Sequence, residues 1–173
     1  MAVKGTGKEY DVSGDIADNL KTTTSQYRIV SICGDTAGSN WTFDAARTGT
    51  ADFTAATRYA IGINQTYLSE SAETCDVRLF GISKAVCAES IPVGSFVSTY
   101  YGVSTATMWG KIINLDNGAS GCSGYTGSVA GTVSNQVTVL GRAMENGSTN
   151  SVISVFLNPQ LYDMSLVGSI GIT

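Results

Sequence analysis

Apolar and polar residues alternate along most of this chain in short runs, and the runs are cut by Gly, Pro, Asn or Asp. A period of two places successive side chains on opposite faces of a strand. A helix needs a 3.6-residue period sustained over about ten residues or more. No stretch sustains it. The pattern therefore predicts an all-β chain of many short strands, folded as a small β-barrel or β-sandwich. Length is sufficient for one domain. At 173 residues it buries about 70% of its unfolded surface, so it requires neither a metal nor a disulfide to hold it.

Strands are expected at 26–33, 40–43, 59–64 and 74–83, the last continuing as a bent strand through 84–88 past Gly81. Further strands are expected at 95–101, 108–115, 136–144 and 151–157. In the first, Tyr27, Ile29, Ser31 and Cys33 share one face, with Arg28, Val30 and Ile32 on the other. In the fourth, Cys75, Val77 and Leu79 oppose Asp76, Arg78 and Phe80. The segment 91–94 (IPVG) reads as a type I turn with Pro second and Gly fourth. Asn146-Gly147 reads as the turn of a hairpin joining the last two strands, which Asn158-Pro159 ends. The Gly-bearing strand 59–63 followed by 76–80 echoes 138–143 followed by 154–157. The echo is either an internal repeat or the resemblance of any two hairpins.

Three regions follow: an extended N-terminal arm (1–25), a β core (26–159) and a C-terminal tail (160–173). The arm is polar and rich in Gly and Thr, with Ser13 able to cap a helical turn over 16–20. Such a segment gains order from a partner, which makes Lys4, Lys8 and Tyr10 candidate contact residues. Segments 44–58 and 118–135 read as loops. The tail carries Leu161, Tyr162, Leu166, Ile170 and Ile172, with no charge after Asp163. Each such side chain gains about 1.5–3 kcal/mol when buried. The tail is therefore either one more strand of its own domain or a segment that crosses to a neighbouring subunit.

Charge and composition exclude several functions. Lys and Arg number ten against fourteen Asp and Glu, for a net charge of −4, and the basic residues form no run. A direct nucleic-acid partner needs a positive stripe, and an anionic membrane surface needs a basic patch; neither is expected. The sequence has no His, which removes the commonest general base and the Ser-His and Cys-His pairs. Cys33, Cys75, Cys87 and Cys122 form no CxxC pair, so no zinc site is expected. The N-terminus carries no apolar signal segment, so reduced, buried thiols are favoured over two disulfides. No cofactor, metal or enzymatic activity is expected.

Weaker motifs dissolve on inspection. KGTGK at 4–8 lacks the spacing and flanking elements of a phosphate loop, and GCSGYTG at 121–127 lacks the βαβ setting of a dinucleotide site. Glu70, Glu73 and Asp76 sit on a polar connection without calcium-loop spacing. Sequons begin at Asn40, Asn64 and Asn146, and mean little without a signal segment. Trp41, Tyr100, Tyr101 and Trp109 offer stacking faces for a sugar, although burial is the commoner fate of such residues.

Five stretches, taken in order, resemble the capsid decoration (cement) proteins of tailed bacteriophages. These are Ile61-Gly62-Ile63, then VRLFG at 77–81, ESIPVGSFV at 89–97, LGRAME at 140–145 and VISVFL at 152–157. The resemblance spans roughly 58–159 and lies in strands and turns rather than in a chemical motif. It implies a structural virion protein made in the host cytoplasm and bound to the capsid exterior. Its partners would be the major capsid protein and itself, as a homotrimer or a dimer. The alternatives are another virion component (fibre, spike or tail-tube subunit) and a carbohydrate-binding β-sandwich.

Overall fold

The computed structural model of the chain describes residues 2–5, 9–16, 26–34, 41–45, 60–67, 74–99, 110–115 and 136–163. Ten strands run through them: β1 (Ala2–Gly5), β2 (Tyr10–Ile16), β3 (Ile29–Gly34), β4 (Trp41–Ala45), β5 (Ala60–Asn64), β6 (Thr74–Val86), β7 (Phe96–Thr99), β8 (Ile112–Asn114), β9 (Gln136–Ala143) and β10 (Val152–Asp163). No helix occurs among the described residues. The chain is all-β, as the alternation predicts.

The strands hydrogen-bond in the order β1-β2-β4-β3-β5-β6-β10-β9-β7-β8, and β2 also pairs with β6. That second pairing closes β2-β4-β3-β5-β6 into a five-stranded barrel and leaves β6-β10-β9-β7-β8 as an adjoining sheet. All pairings are antiparallel except β2 with β4. The thirteen residues of β6 serve both halves. Thr74–Phe80 pairs with β2, and Gly81–Val86 pairs with β10. Gly81 lies at the junction with φ of 100°, which an L side chain rarely adopts.

Two cores result. Val12, Ile16, Val30, Phe43, Cys75 and Val77 pack together in the barrel. Ile29, Ile63, Ile91, Val97, Ile112, Leu140, Ile153 and Leu157 pack with smaller side chains in the second. β3 and β5 form the wall between them. Ile29 and Val30 are neighbours in β3 and both are fully buried, one in each core. Adjacent strand residues point to opposite faces, so β3 is covered on both sides. β5 reaches the same result through a bulge. Its pairing with β3 slips between Val30 and Ser31, and Ile61 then packs against the barrel core while Ile63 enters the other.

The described part of the expected arm is built into the sheet. β1 pairs with β2, and β2 pairs with β6 from Tyr10 to Asp15. Val12 and Ile16 of β2 are buried. Ser13 is a strand residue whose hydroxyl donates to the Asp76 carboxylate, not a helix cap. The tail boundary also moves. β10 continues past Pro159 to Asp163, paired with β9, and the ladder is irregular between Leu157 and Gln160. Pro has no N–H to give a ladder and is tolerated at such a bulge. Residues 164–173 lie outside the described residues.

Both expected turns are displaced. Ser95 donates its backbone N–H to Pro92 O at 3.3 Å, so the turn runs 92–95 with Gly94 third at φ of 86°, the form with a positive third residue. The β9–β10 hairpin turns at 148–151, where Ser151 N–H donates to Ser148 O at 2.9 Å and Asn150 takes φ of 67°. Asn146 and Gly147 are engaged elsewhere. Asn146 Oδ1 accepts from Val93 N–H at 2.8 Å, and Gly147 exchanges backbone hydrogen bonds with Ile91. Buried Lys111 secures the turn from below, its Nζ donating to Asn150 Oδ1 at 2.5 Å.

Candidate interaction face

The second sheet has a buried side and an outward side, and the outward side is apolar where alternation would make it polar. Ile82 of β6 lies opposite Phe156 of β10, Phe156 opposite Arg142 of β9, and Arg142 opposite Phe96 of β7. Directly paired antiparallel residues project to the same face. The four side chains therefore form one row across four strands. Ile82 is 48% exposed and Phe156 41%, values far from those of core residues. Phe80, two positions along β6, meets Phe156 edge to face with centroids 5.7 Å apart. Tyr10 of β2 lies opposite Phe80 and extends the surface toward the barrel. Met144, just past the end of β9, and Val152, the first residue of β10, are also exposed.

Charges border this surface and are tied within it. The Arg142 guanidinium lies 4.0 Å above the Phe96 ring centroid. Arg78 donates to both carboxylate oxygens of Asp11, at 2.8 and 3.1 Å, and reaches Glu9 at 3.1 Å. Its remaining nitrogen donates to Ile82 O at 2.6 Å, which anchors the guanidinium to the row. The hydrogen bond to Asp11 leads the causes that raise the Arg78 pKa. At the other end Lys84 Nζ lies 3.1 Å from Glu145 Oε1 and 2.8 Å from Ser154 Oγ. Glu145 also accepts from Ser154 N–H. Hydrogen bonds from Ser154 and then Lys84 hold the Glu145 carboxyl below the usual range.

Two glycines let strands come close together beside the row. A Cβ built on Gly141 would run into the Phe156 carbonyl oxygen, so only glycine permits β9 to approach β10 this closely. Gly62 stands in the same relation to the Arg78 carbonyl on β6. The Gly-bearing strands of the two hairpins that echo one another in sequence, β5 and β9, thus share a backbone feature and flank the central β6–β10 pair.

An aromatic, Arg- and Met-containing surface with satisfied polar groups at its edges suits protein contact. Among the sequence-predicted contact residues, Tyr10 is 51% exposed and lies on this face. Lys4 is in β1, paired with Asp11. Leu161 and Tyr162 are in β10, paired with Thr138 and Val137. Lys8, Leu166, Ile170 and Ile172 lie outside the described residues. Ile82, Phe96, Arg142 and Phe156 were not among the contact residues expected from sequence. Their signal was weak but present: each apolar one stands on the side of its strand that alternation reserves for polar residues.

The other candidates fare differently. Asn64 is fully buried, and its side-chain amide closes the turn by bonding both backbone groups of Thr66, so that sequon is internal. Cys75 and Cys87 are free, buried thiols. Glu70, Glu73, Tyr100, Tyr101, Trp109 and Cys122 lie outside the described residues.

No family model matches the chain, and no curated protein matches it. Among solved structures it is similar to the N base of the head fiber gp8.5 of bacteriophage phi29. The TM-score is 0.43 at 10% identity, over 87% of this chain and 94% of that one.

Proposed function

We propose that the chain is a structural protein of a phage virion that binds the outside of the capsid and stabilises it. One observation carries this reading. The stretches that resemble decoration proteins are scattered through the sequence, yet they assemble into adjacent strands β5-β6-β10-β9-β7. That unit presents the exposed aromatic row. In this reading the chain works by contact alone, takes no cofactor, and touches neither nucleic acid nor membrane. The major capsid protein is its principal partner. Several individually modest contacts, repeated by a symmetric oligomer, gain strength from avidity.

The test is binding to heads of the encoding phage prepared without this protein. Saturable binding at a copy number matching capsid lattice positions, with raised heat stability of the filled head, is the expected result. Absence of binding, together with unchanged head stability, would sink the proposal. A few copies at a single vertex or on the tail would instead mark a fibre or tail component.

A further inference from the structure

We infer that Lys111 and Asn150 are the site of an intramolecular isopeptide bond, formed between the lysine amino nitrogen and the asparagine side-chain carbonyl carbon with loss of ammonia. Lys111 directly precedes β8, and Asn150 lies in the turn between β9 and β10. The bond ties the last strand of the sheet to that turn. The inference goes beyond the capsid reading and does not depend on it.

Position comes first. Lys111 is 4% exposed, unusual for a lysine, and its Nζ lies 2.5 Å from Asn150 Oδ1. An ordinary N–H···O hydrogen bond spans about 2.7–3.2 Å, so the amine is pressed against the carboxamide. The carbonyl carbon is one bond further, about 1.2 Å. Nζ therefore stands close to the separation of about 3–3.5 Å from which an aligned pair reacts. Backbone hydrogen bonds fix both partners. Ile29 N–H donates to Gly110 O at 2.7 Å, and Ala88 N–H to Ile112 O at 2.8 Å, on either side of Lys111. Asn150 N–H donates to Cys87 O at 2.9 Å. Adjacent residues, Cys87 and Ala88, thus anchor the two sides of the contact. A nucleophile and a carbonyl held in this way replace a chance encounter with a local one.

The chemistry follows from charge. An amine attacks a carbonyl only in its neutral form. Burial lowers the Lys111 pKa, and the positive charge of Arg28, which packs beside Gly110, lowers it further. Neutral Nζ adds to Cγ, and negative charge gathers on Oδ1, which the neighbouring Arg28 charge favours. Nζ then gives one proton to Nδ2, the Cγ–Nδ2 bond breaks, and ammonia departs. An amine and a carboxamide have become a secondary amide and ammonia, so no oxidant, metal or cofactor enters the balance. Asn150 is exposed, which gives the ammonia a path to solvent. A covalent ring closed between 111 and 150 restricts the unfolded chain as a disulfide does, without sensitivity to reductant.

The test is the intact mass of the full chain, purified in its folded state and held until the mass no longer changes. Wild type is expected below its sequence mass by one ammonia. Proteolysis is then expected to yield a branched peptide that joins Lys111 to Asn150. Lys111→Arg keeps the charge and the hydrogen-bond donor but supplies no primary amine, and Asn150→Ala removes the carbonyl; both are expected at full sequence mass. Wild type at full mass would overturn the inference. So would an ammonia loss that persists in Lys111→Arg, which marks a succinimide at an asparagine, or a branch that maps to another pair. The wild-type mass and the branched peptide decide the outcome even where a variant fails to fold. Neither readout involves phage heads, so the bond can be absent while head binding persists, and present where head binding fails.

Discussion

Gly141 and Cys75 are small residues whose surroundings fix what can replace or react with them. At Gly141 the obstacle is backbone, the Phe156 carbonyl, and not a side chain that can turn aside. Gly141→Ala is therefore expected to cost about 3 kcal/mol, the upper end for overpacking. A urea melt checks this, with a lower midpoint at unchanged slope. At Cys75 burial, then the neighbouring Asp76 charge, pushes the thiol up to about 12. The thiolate is the reactive form, so native protein treated with iodoacetamide at pH 8 should leave Cys75 unmodified, whereas denatured protein reacts. Peptide mass mapping reads the outcome, and equal labelling in both states would contradict it. The burial of Cys75 and Val77 was legible in the alternation of 75–80. The exposure of Phe80, on the polar side of that same run, was equally legible and marks one corner of the candidate face.

At the scale of elements, alternation located strands well and turns poorly. The turn pair Asn146-Gly147 was displaced because both residues bond to the 91–93 segment, leaving Asn150 to take the left-handed position. β2 was illegible for a different reason. Its run YDVSGDI has only two buried apolar residues, with Gly14 between them, and the Phe43 ring occupies the space a side chain at 14 would need. A core position filled from another strand leaves no hydrophobic signal in its own. The aromatic row was hidden because its four members come from strands whose spatial order, β6-β10-β9-β7, is not their chain order. The β9–β10 hairpin also carries a pH dependence. The Glu145 carboxyl is held below its ordinary range by Ser154 and Lys84, so its contribution is present above the unfolded carboxylate pKa. That contribution is lost as pH falls through the lower folded value. Amide exchange at Ser154, corrected for intrinsic pH effects, should lose protection in that acid window. Glu145→Gln should remove the dependence.

The whole molecule is two cores around a shared wall, and this arrangement sets how it unfolds. β3 and β5 contribute to both cores, and β6 runs from one to the other. Losing the barrel would expose Ile29 and Ile63, which the second core needs. Losing the second sheet would strip the outer cover from the same strands. Barrel closure, moreover, joins residues 10–15 to 74–80, so it cannot form or persist as a local hairpin. The two halves are therefore expected to melt together. Phe43→Ala, in the barrel, should cost about 3–5 kcal/mol, and Leu157→Ala, in the second core, about 2–5 kcal/mol. Each should shift one transition for the entire fold. Far-UV dichroism and tryptophan fluorescence, followed through the same denaturant series, should give superimposable curves for wild type and both variants. If Phe43→Ala instead produced a separate early transition while the rest of the sheet signal held, the wall would not couple the halves. The aromatic face would then rest on an independently stable sheet, rather than on the cooperative unit that the shared strands imply.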